Sequence, residues 1–146
     1  MSSAVLSDGV QVATFRLAGE WFGIDVLRVQ EVMNPLPRTE VPRAPTFVTG
    51  LINVRGLIVT AISLKSRLGF PDTAYDLSSH MNVIVKTPEG PICLQVDEIG
   101  DVVRTNALSF AERPPTVSTA LREHIAGVLR LDDRLITLLD VDRLVA

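Results

Sequence analysis

Between Val41 and Gly69 the chain reads VPRAPTFVTGLINVRGLIVTAISLKSRLG. Two apolar runs flank Asn53-Val54-Arg55-Gly56, and this arrangement narrows the possible folds more than any other feature. Both runs are rich in Val, Ile and Thr, which lose rotamer freedom in a helix and pack well on a pleated strand. A short polar break containing Gly between two such runs predicts a hairpin. Ser63 is placed to cap a short helix carrying Leu64 and Leu68, and Gly69 to end it. The predicted order is strand, tight turn, strand, helix. The turn presents the five N–H donors of Arg55.

The rest of the chain follows the same period of two. Val12 to Leu17 alternates, with Ala13, Phe15 and Leu17 on one face and Thr14 and Arg16 on the other. Ala18-Gly19-Glu20 is turn chemistry, and Trp21 to Val26 alternates again with Phe22, Ile24 and Val26 together, which predicts a hairpin. Val29, Val32 and Met33 extend the apolar pattern until Asn34-Pro35-Leu36-Pro37 breaks it. Met81 to Thr87 and Ile92 to Val96 read as strands around Pro88-Glu89-Gly90-Pro91, and Ile99, Val102 and Val103 follow. His124 to Leu131 and Leu135 to Leu139 read as strands around Asp132-Asp133-Arg134, with Asp140 capping a last helical turn, Val141 to Val145. Met1 to Gly9 reads as a frayed end, Phe70 to Ser79 as a loop, and the stretch from Arg113-Pro114-Pro115 as irregular.

The chain also echoes itself. Shifted by 70 residues, Phe22, Ile24 and Val26 fall on Ile92, Leu94 and Val96, and Glu31 falls on Asp101. Shifted by 77, Gly50 meets Gly127, Thr60 meets Thr137, and the caps Ser63 and Asp140 coincide. Apolar coincidences are common in such a chain, but matched glycines and caps in the same order predict two similar β-rich halves. The expected architecture is mainly β: two small antiparallel barrels or curled sheets side by side, with short helices. A half of about 60–70 residues buries little alone, so the halves should share a core. We expect one domain over 1–146, with halves at 9–69 and 80–146 and the chain free to cross between them. The halves differ at one turn: Asn53-Val54-Arg55-Gly56 in the first, Arg130-Leu131-Asp132-Asp133-Arg134 in the second. The first turn is therefore where a distinct role could be installed.

Composition excludes several functions. Aromatic residues are only 5% of the chain, so the core must be built from Val, Leu and Ile. The net charge is −3 and the arginines are scattered, which argues against a nucleic-acid partner. Scattered arginines do make good interface anchors. One cysteine, Cys93, allows no internal disulfide and fits a reducing compartment. No signal peptide is apparent, and no stretch approaches the roughly 18 apolar residues of a membrane span. Direct membrane insertion is not expected.

The sequence shows no GxxxxGK[ST], no GxGxxG after a strand and no GxSxG elbow. His80 and His124 lack neighbours at metal-ligand spacing. A nucleophilic Cys93 served by His80 or His124 is an enzyme reading; a buried Cys93 with surface histidines is the simpler one. Asp132-Asp133 is turn chemistry, and Asp97, Glu98 and Asp101 read as a solvated edge. No catalytic residue, metal or cofactor is expected. What remains is an interaction module. Val29, Glu31, Asn53 and Arg55 offer apolar contact plus charges that fix register.

At these residues the sequence resembles the CheW family, the coupling proteins of bacterial chemotaxis. The resemblance rests on FRLAGEWFGIDVLRVQEV, VPRAPTFVTGLINVRGLIVTAISLKSRLG, VDEIGDV and GVLRLDDRLITLLDVDRLV, in order from about Val12 to Val145. FGIDVLRVQEV and GLINVRGLIV are its most specific pieces. The family often has Leu where Val54 stands, a conservative departure. The resemblance implies two five-stranded, SH3-like antiparallel barrels sharing a hydrophobic core. It implies a non-catalytic adaptor that binds the cytoplasmic tip of a transmembrane chemoreceptor and the regulatory domain of the histidine kinase CheA. It places the receptor-facing positions at Val29, Glu31 and the Asn53, Arg55 and Gly56 of the turn. It puts Val85 and Val96 on the far wall of a groove between the barrels. Kinase-facing surfaces are implied to be exposed apolar residues at barrel ends. An adaptor for pilus motility or another chemosensory pathway would carry the same residues. The tail Leu138 to Ala146 argues against a fragment of a larger kinase.

Overall fold

Two tight turns set the strand ends. Ala18-Gly19 (φ 51° and 80°) and Arg55-Gly56 (φ 53° and 88°) have positive φ at both central positions. That is the two-residue turn whose twist matches paired antiparallel strands. The computed structural model describes residues 9–70, 80–106, 110–111 and 123–145. The strands are β1 (Gln11–Leu17), β2 (Glu20–Asp25), β3 (Val29–Met33), β4 (Arg38–Thr39), β5 (Val48–Val54) and β6 (Leu57–Ser63). They continue with β7 (Met81–Thr87), β8 (Gly90–Val96), β9 (Glu98–Arg104), β10 (Phe110–Ala111), β11 (Ile125–Arg130) and β12 (Leu135–Leu139). The helices are single turns, α1 (Leu64–Arg67) and α2 (Val141–Leu144). The predicted frayed start, most of the loop after Phe70 and the Arg113-Pro114-Pro115 segment lie outside the described residues.

Both predicted caps form. Ser63 Oγ accepts from Ser66 N at 3.3 Å, and Asp140 Oδ1 accepts from Asp142 N at 3.0 Å. Gly69 (φ 83°) ends α1, with Gly69 N donating to Ser66 O and Phe70 N to Lys65 O. These two bonds satisfy carbonyls that the end of the helix leaves free.

The strands form two six-stranded sheets, in the orders β10-β11-β12-β2-β1-β9 and β3-β7-β8-β6-β5-β4. Read in reverse, the second order has β5, β6, β8 and β3 where the first has their counterparts in the sequence echo, β11, β12, β2 and β9. Each sheet has one parallel joint, β12 to β2 and β6 to β8. The sheets therefore do not coincide with the halves of the sequence. Hairpin β1–β2 belongs to the sheet of β9–β12, and hairpin β7–β8 belongs to the sheet of β3–β6. The chain crosses between sheets after β2 and again after β8.

Three details differ from the sequence reading. Each sheet has six strands rather than five, because a two-residue strand, β4 or β10, pairs at its edge. The strand from Trp21 ends at Asp25, whose Oδ1 accepts from Leu27 N at 2.9 Å and turns Val26–Arg28 into a 3-10 turn toward the other sheet. His80 and His124 are buried rather than on the surface. His80 Nε2 lies 3.2 Å from Asp97 Oδ1, and the His124 carbonyl accepts from Asp140 N where β12 ends.

Alternation divides the apolar residues among three clusters. One faces of each central strand meet between the sheets: Phe15, Leu17, Phe22, Ile24, Ile62, Val83, Val85, Leu94, Val96, Leu139 and the helix residues Leu64, Val141 and Leu144. The opposite faces carry a separate cluster on each sheet, on the concave side in the second. Val12, Leu129, Ile136 and Leu138 fill the first, and Ile52, Val54, Val59, Ala61, Ile84 and Cys93 the second. Adjacent residues such as Ile84 and Val85 thus enter different clusters, as a period of two requires.

Candidate protein-binding site

The β5–β6 turn is built by its own residues. Asn53 Oδ1 accepts from Gly56 N at 2.8 Å, so Asn53 shapes the turn. Arg55 takes the first left-handed position, where Asn, Asp or Gly is usual. A side chain there costs roughly 1–2 kcal/mol. Arg55 is 77% exposed, and Nη2 reaches Glu31 Oε1 at 3.1 Å.

Glu31 comes from β3, where it stands opposite Ile84 of β7. Ile84 faces the concave cluster of the second sheet, so Glu31 sits at the mouth of that concavity, with its side chain 20% exposed. Strands β7, β8 and β6 separate β3 from β5 in the ladder. The ion pair therefore forms because the sheet curls until its ends approach. An exposed ion pair contributes only about 0–1 kcal/mol, so it does not by itself offset the cost of an arginine in this turn.

Leu57, Ile58 and Val32 lie exposed beside this pair in the chain. The sequence reading missed them, although it held a signal. Leu57-Ile58-Val59 is a continuous apolar run, and a strand can turn only alternate residues inward. Val59 is buried and Ile58, opposite Asn53, is exposed.

Other expected site residues are placed differently. Val29 is half-buried, pairs with Val85 and packs against the core between the sheets. Val85 and Val96 are both 0% exposed and belong to that core. Their placement on an exposed groove wall is corrected: a partner cannot touch these side chains, and their role is to hold the sheets together. Cys93 is also buried, with Sγ donating to Asn82 Oδ1 at 3.3 Å, and burial pushes its thiol up to about 12. A thiol held that high does not supply thiolate near neutral pH.

The counterpart turn in the other sheet shows what is particular to Arg55. Arg134 there stacks over Trp21, 4.5 Å from the ring centroid, and its side chain is mostly buried. Arg16 lies over the same ring at 5.6 Å. One sheet spends its turn arginine on packing, and the other holds it out to solvent.

A family model described as the CheW-like domain matches residues 11–146. The chain belongs to the CheW-like domain family. Chemotaxis protein CheW of Klebsiella aerogenes is 28% identical over 138 residues, covering 94% of this chain and 82% of that protein. Chemotaxis protein CheW of Rhizobium meliloti is 27% identical over 134 residues, covering 92% of this chain and 86% of that protein. The crystal structure of the scaffolding protein CheW from Thermoanaerobacter tengcongensis superimposes with a TM-score of 0.79 at 30% identity, over 90% of this chain and 89% of that one. The two-sheet β architecture is thus that of a CheW protein, and its relatives are named as chemotaxis proteins and, for the solved structure, as a scaffolding protein.

Proposed function

We propose that this CheW-like protein couples chemoreceptors to the histidine kinase CheA, with the Glu31–Arg55 end of the second sheet facing the receptor tip. The observation that carries this reading is the Glu31–Arg55 pair itself. Two residues 24 positions apart are brought to 3.1 Å at an exposed edge, with the arginine held in a strained turn that does not need it. Strain kept at a solvent-facing side chain points to selection for contact rather than for stability. Asn53 and Gly56 set the turn, Val29 anchors β3 from beneath, and Val32, Leu57 and Ile58 add apolar surface. The exposed Leu135 and Val102 supply apolar surface on the other sheet for the kinase regulatory domain. The protein acts by differential binding: preference for one receptor state passes to the kinase by linkage. It works in the cytoplasm, recruited to membrane-associated receptor arrays, and performs no chemistry.

The test is receptor-dependent kinase activation, reconstituted with a receptor signalling fragment and CheA. Arg55→Glu should abolish activation while the protein still melts cooperatively. Full activation by that variant would refute the site. Protein PilI of Pseudomonas aeruginosa is 28% identical over 114 residues, covering 78% of this chain and 64% of that protein. This likeness supports a second reading, an adaptor for a related chemosensory system. Tip fragments and kinase regulatory domains from each type of system, assayed in parallel, distinguish the two.

A further inference from the structure

Arg28 closes the 3-10 turn at which the chain leaves the first sheet for the second. Its guanidinium makes four hydrogen bonds. Nε and Nη2 donate to Lys86 O at 3.1 and 2.7 Å. Nη2 and Nη1 donate to Asp142 Oδ1 and Oδ2 at 2.6 and 3.2 Å. Lys86 is the penultimate residue of β7 in the second sheet, whereas Asp142 lies on α2, which follows β12 of the first. One planar group therefore spans both sheets. The fork-to-carboxylate geometry fixes orientation as well as distance. Arg28 also holds the Asp142 carboxyl below the usual carboxylate range.

The other crossing carries a matching contact. Asp97 stands between β8 and β9, and its Oδ1 lies 3.3 Å from Lys65 Nζ. Lys65 is the second residue of α1, as Asp142 is of α2. A crossing-to-helix ion pair thus occurs twice, with its charges reversed. Asp97 also joins the sheets, accepting from Ala18 N at 2.9 Å in the β1–β2 turn.

The first of these contacts bears on the candidate site. Val29 follows Arg28 directly and opens β3, which carries Glu31. A cavity of about 300 Å³ lined by Thr87, Pro88, Glu89, Asp142 and Val145 opens between the β7–β8 turn and α2. The helix is held to β7 from beneath by Val141 and Leu144 in the core, and on the open side of Asp142 the ion pair is the polar contact that ties helix, crossing and β7 together. We propose that Arg28 and Asp142 are a positioning pair for the Glu31–Arg55 site, so that the C-terminal helix α2 governs partner affinity through the attitude of β3. This rests on the reading of that site as partner-binding.

The test is calorimetric titration of the full chain with a soluble chemoreceptor signalling-tip fragment, paired with amide hydrogen exchange. Arg28→Gln and Asp142→Asn should each weaken binding about fivefold to tenfold, and the double variant by no more than either alone, as coupled partners do. Exchange should rise at Gln30 to Met33 and not in β1, β2 or β8. Arg28→Lys, which keeps the charge without the fork, should recover only part of the affinity. If Arg28→Gln does not melt cooperatively, Asp142→Asn carries the test. Unchanged affinity, additive losses, or a loss accompanied by uniform exchange across both sheets overturns the inference. Arg55→Glu separates the two readings. If it abolishes binding while Asp142→Asn does nothing, only the positioning pair fails. If Arg55→Glu leaves binding intact, the site itself fails.

Discussion

Arg55 Nη2 lies 3.1 Å from Glu31 Oε1 although three strands separate β3 from β5 in their sheet. The contact measures the curl of the sheet directly, since a flat sheet with strands about 4.8 Å apart would hold the two strands near 19 Å from one another.

Relieving the turn should separate stability from binding. Arg55→Asn keeps a residue that accepts the left-handed conformation and removes the guanidinium. Chemical denaturation should show stability unchanged or raised by about 0.5–1 kcal/mol, because the turn is relaxed and only an exposed ion pair is lost. Receptor-dependent kinase activation should fall at least tenfold. A loss of stability would show that the arginine serves the fold.

Exchanging the charges asks what the pair is for. In the variant Glu31→Arg with Arg55→Glu, an ion pair can re-form across the mouth of the sheet. If the pair only holds the sheet closed, the exchange should rescue the single variants. We expect cooperative melting to recover and coupling to stay lost, because a partner reads the sign at each position.

Val96→Ala removes two methyl groups from a residue with no exposed side chain in the core between the sheets. It should cost about 2 kcal/mol of stability. Val85→Ala should behave alike. Where the variants remain folded, affinity for a receptor-tip fragment should change little. A large loss of affinity in a stable Val96 variant would return that residue to the binding surface.

His124 should make stability sensitive to mild acid. Burial, then the neighbouring Arg67, lowers its pKa below the ordinary value of 6.5. Its Nδ1 has no hydrogen-bond partner among the described residues. With the folded pKa below the unfolded one, the unfolded chain binds more protons in this range. The contribution is complete above pH 6.5 and is lost as pH falls through the folded pKa. The thermal midpoint should therefore drop between pH 7 and pH 5, and His124→Phe should flatten that slope. An unchanged slope would assign the effect to another group.

Much of this was legible in the residues. The strand runs, the caps at Ser63 and Asp140 and the two-residue turns are local devices, set by neighbours within four positions. The echo at 70 and 77 residues reappears in the sheet orders for the four strand pairs that it covers. The exposed Ile58 could have been found by counting three apolar residues in succession on a strand that can bury only alternate ones. Val85 and Val96 were misjudged because each face of β7 and β8 packs into a different cluster, and a sequence does not state which face closes the groove.

Alternation and turn chemistry determined the elements of this protein, because they act along the chain between near neighbours. They could not determine which hairpin joins which sheet, since β1–β2 and β7–β8 carry the same pattern and either sheet could accept either one. That choice was made in three dimensions, where the short crossings at Arg28 and Asp97 deliver each hairpin to the opposite sheet and bury one continuous core between them. The pairing of Glu31 with Arg55 belongs to the same level. It depends on how far the second sheet curls, which the packing of its concave side sets.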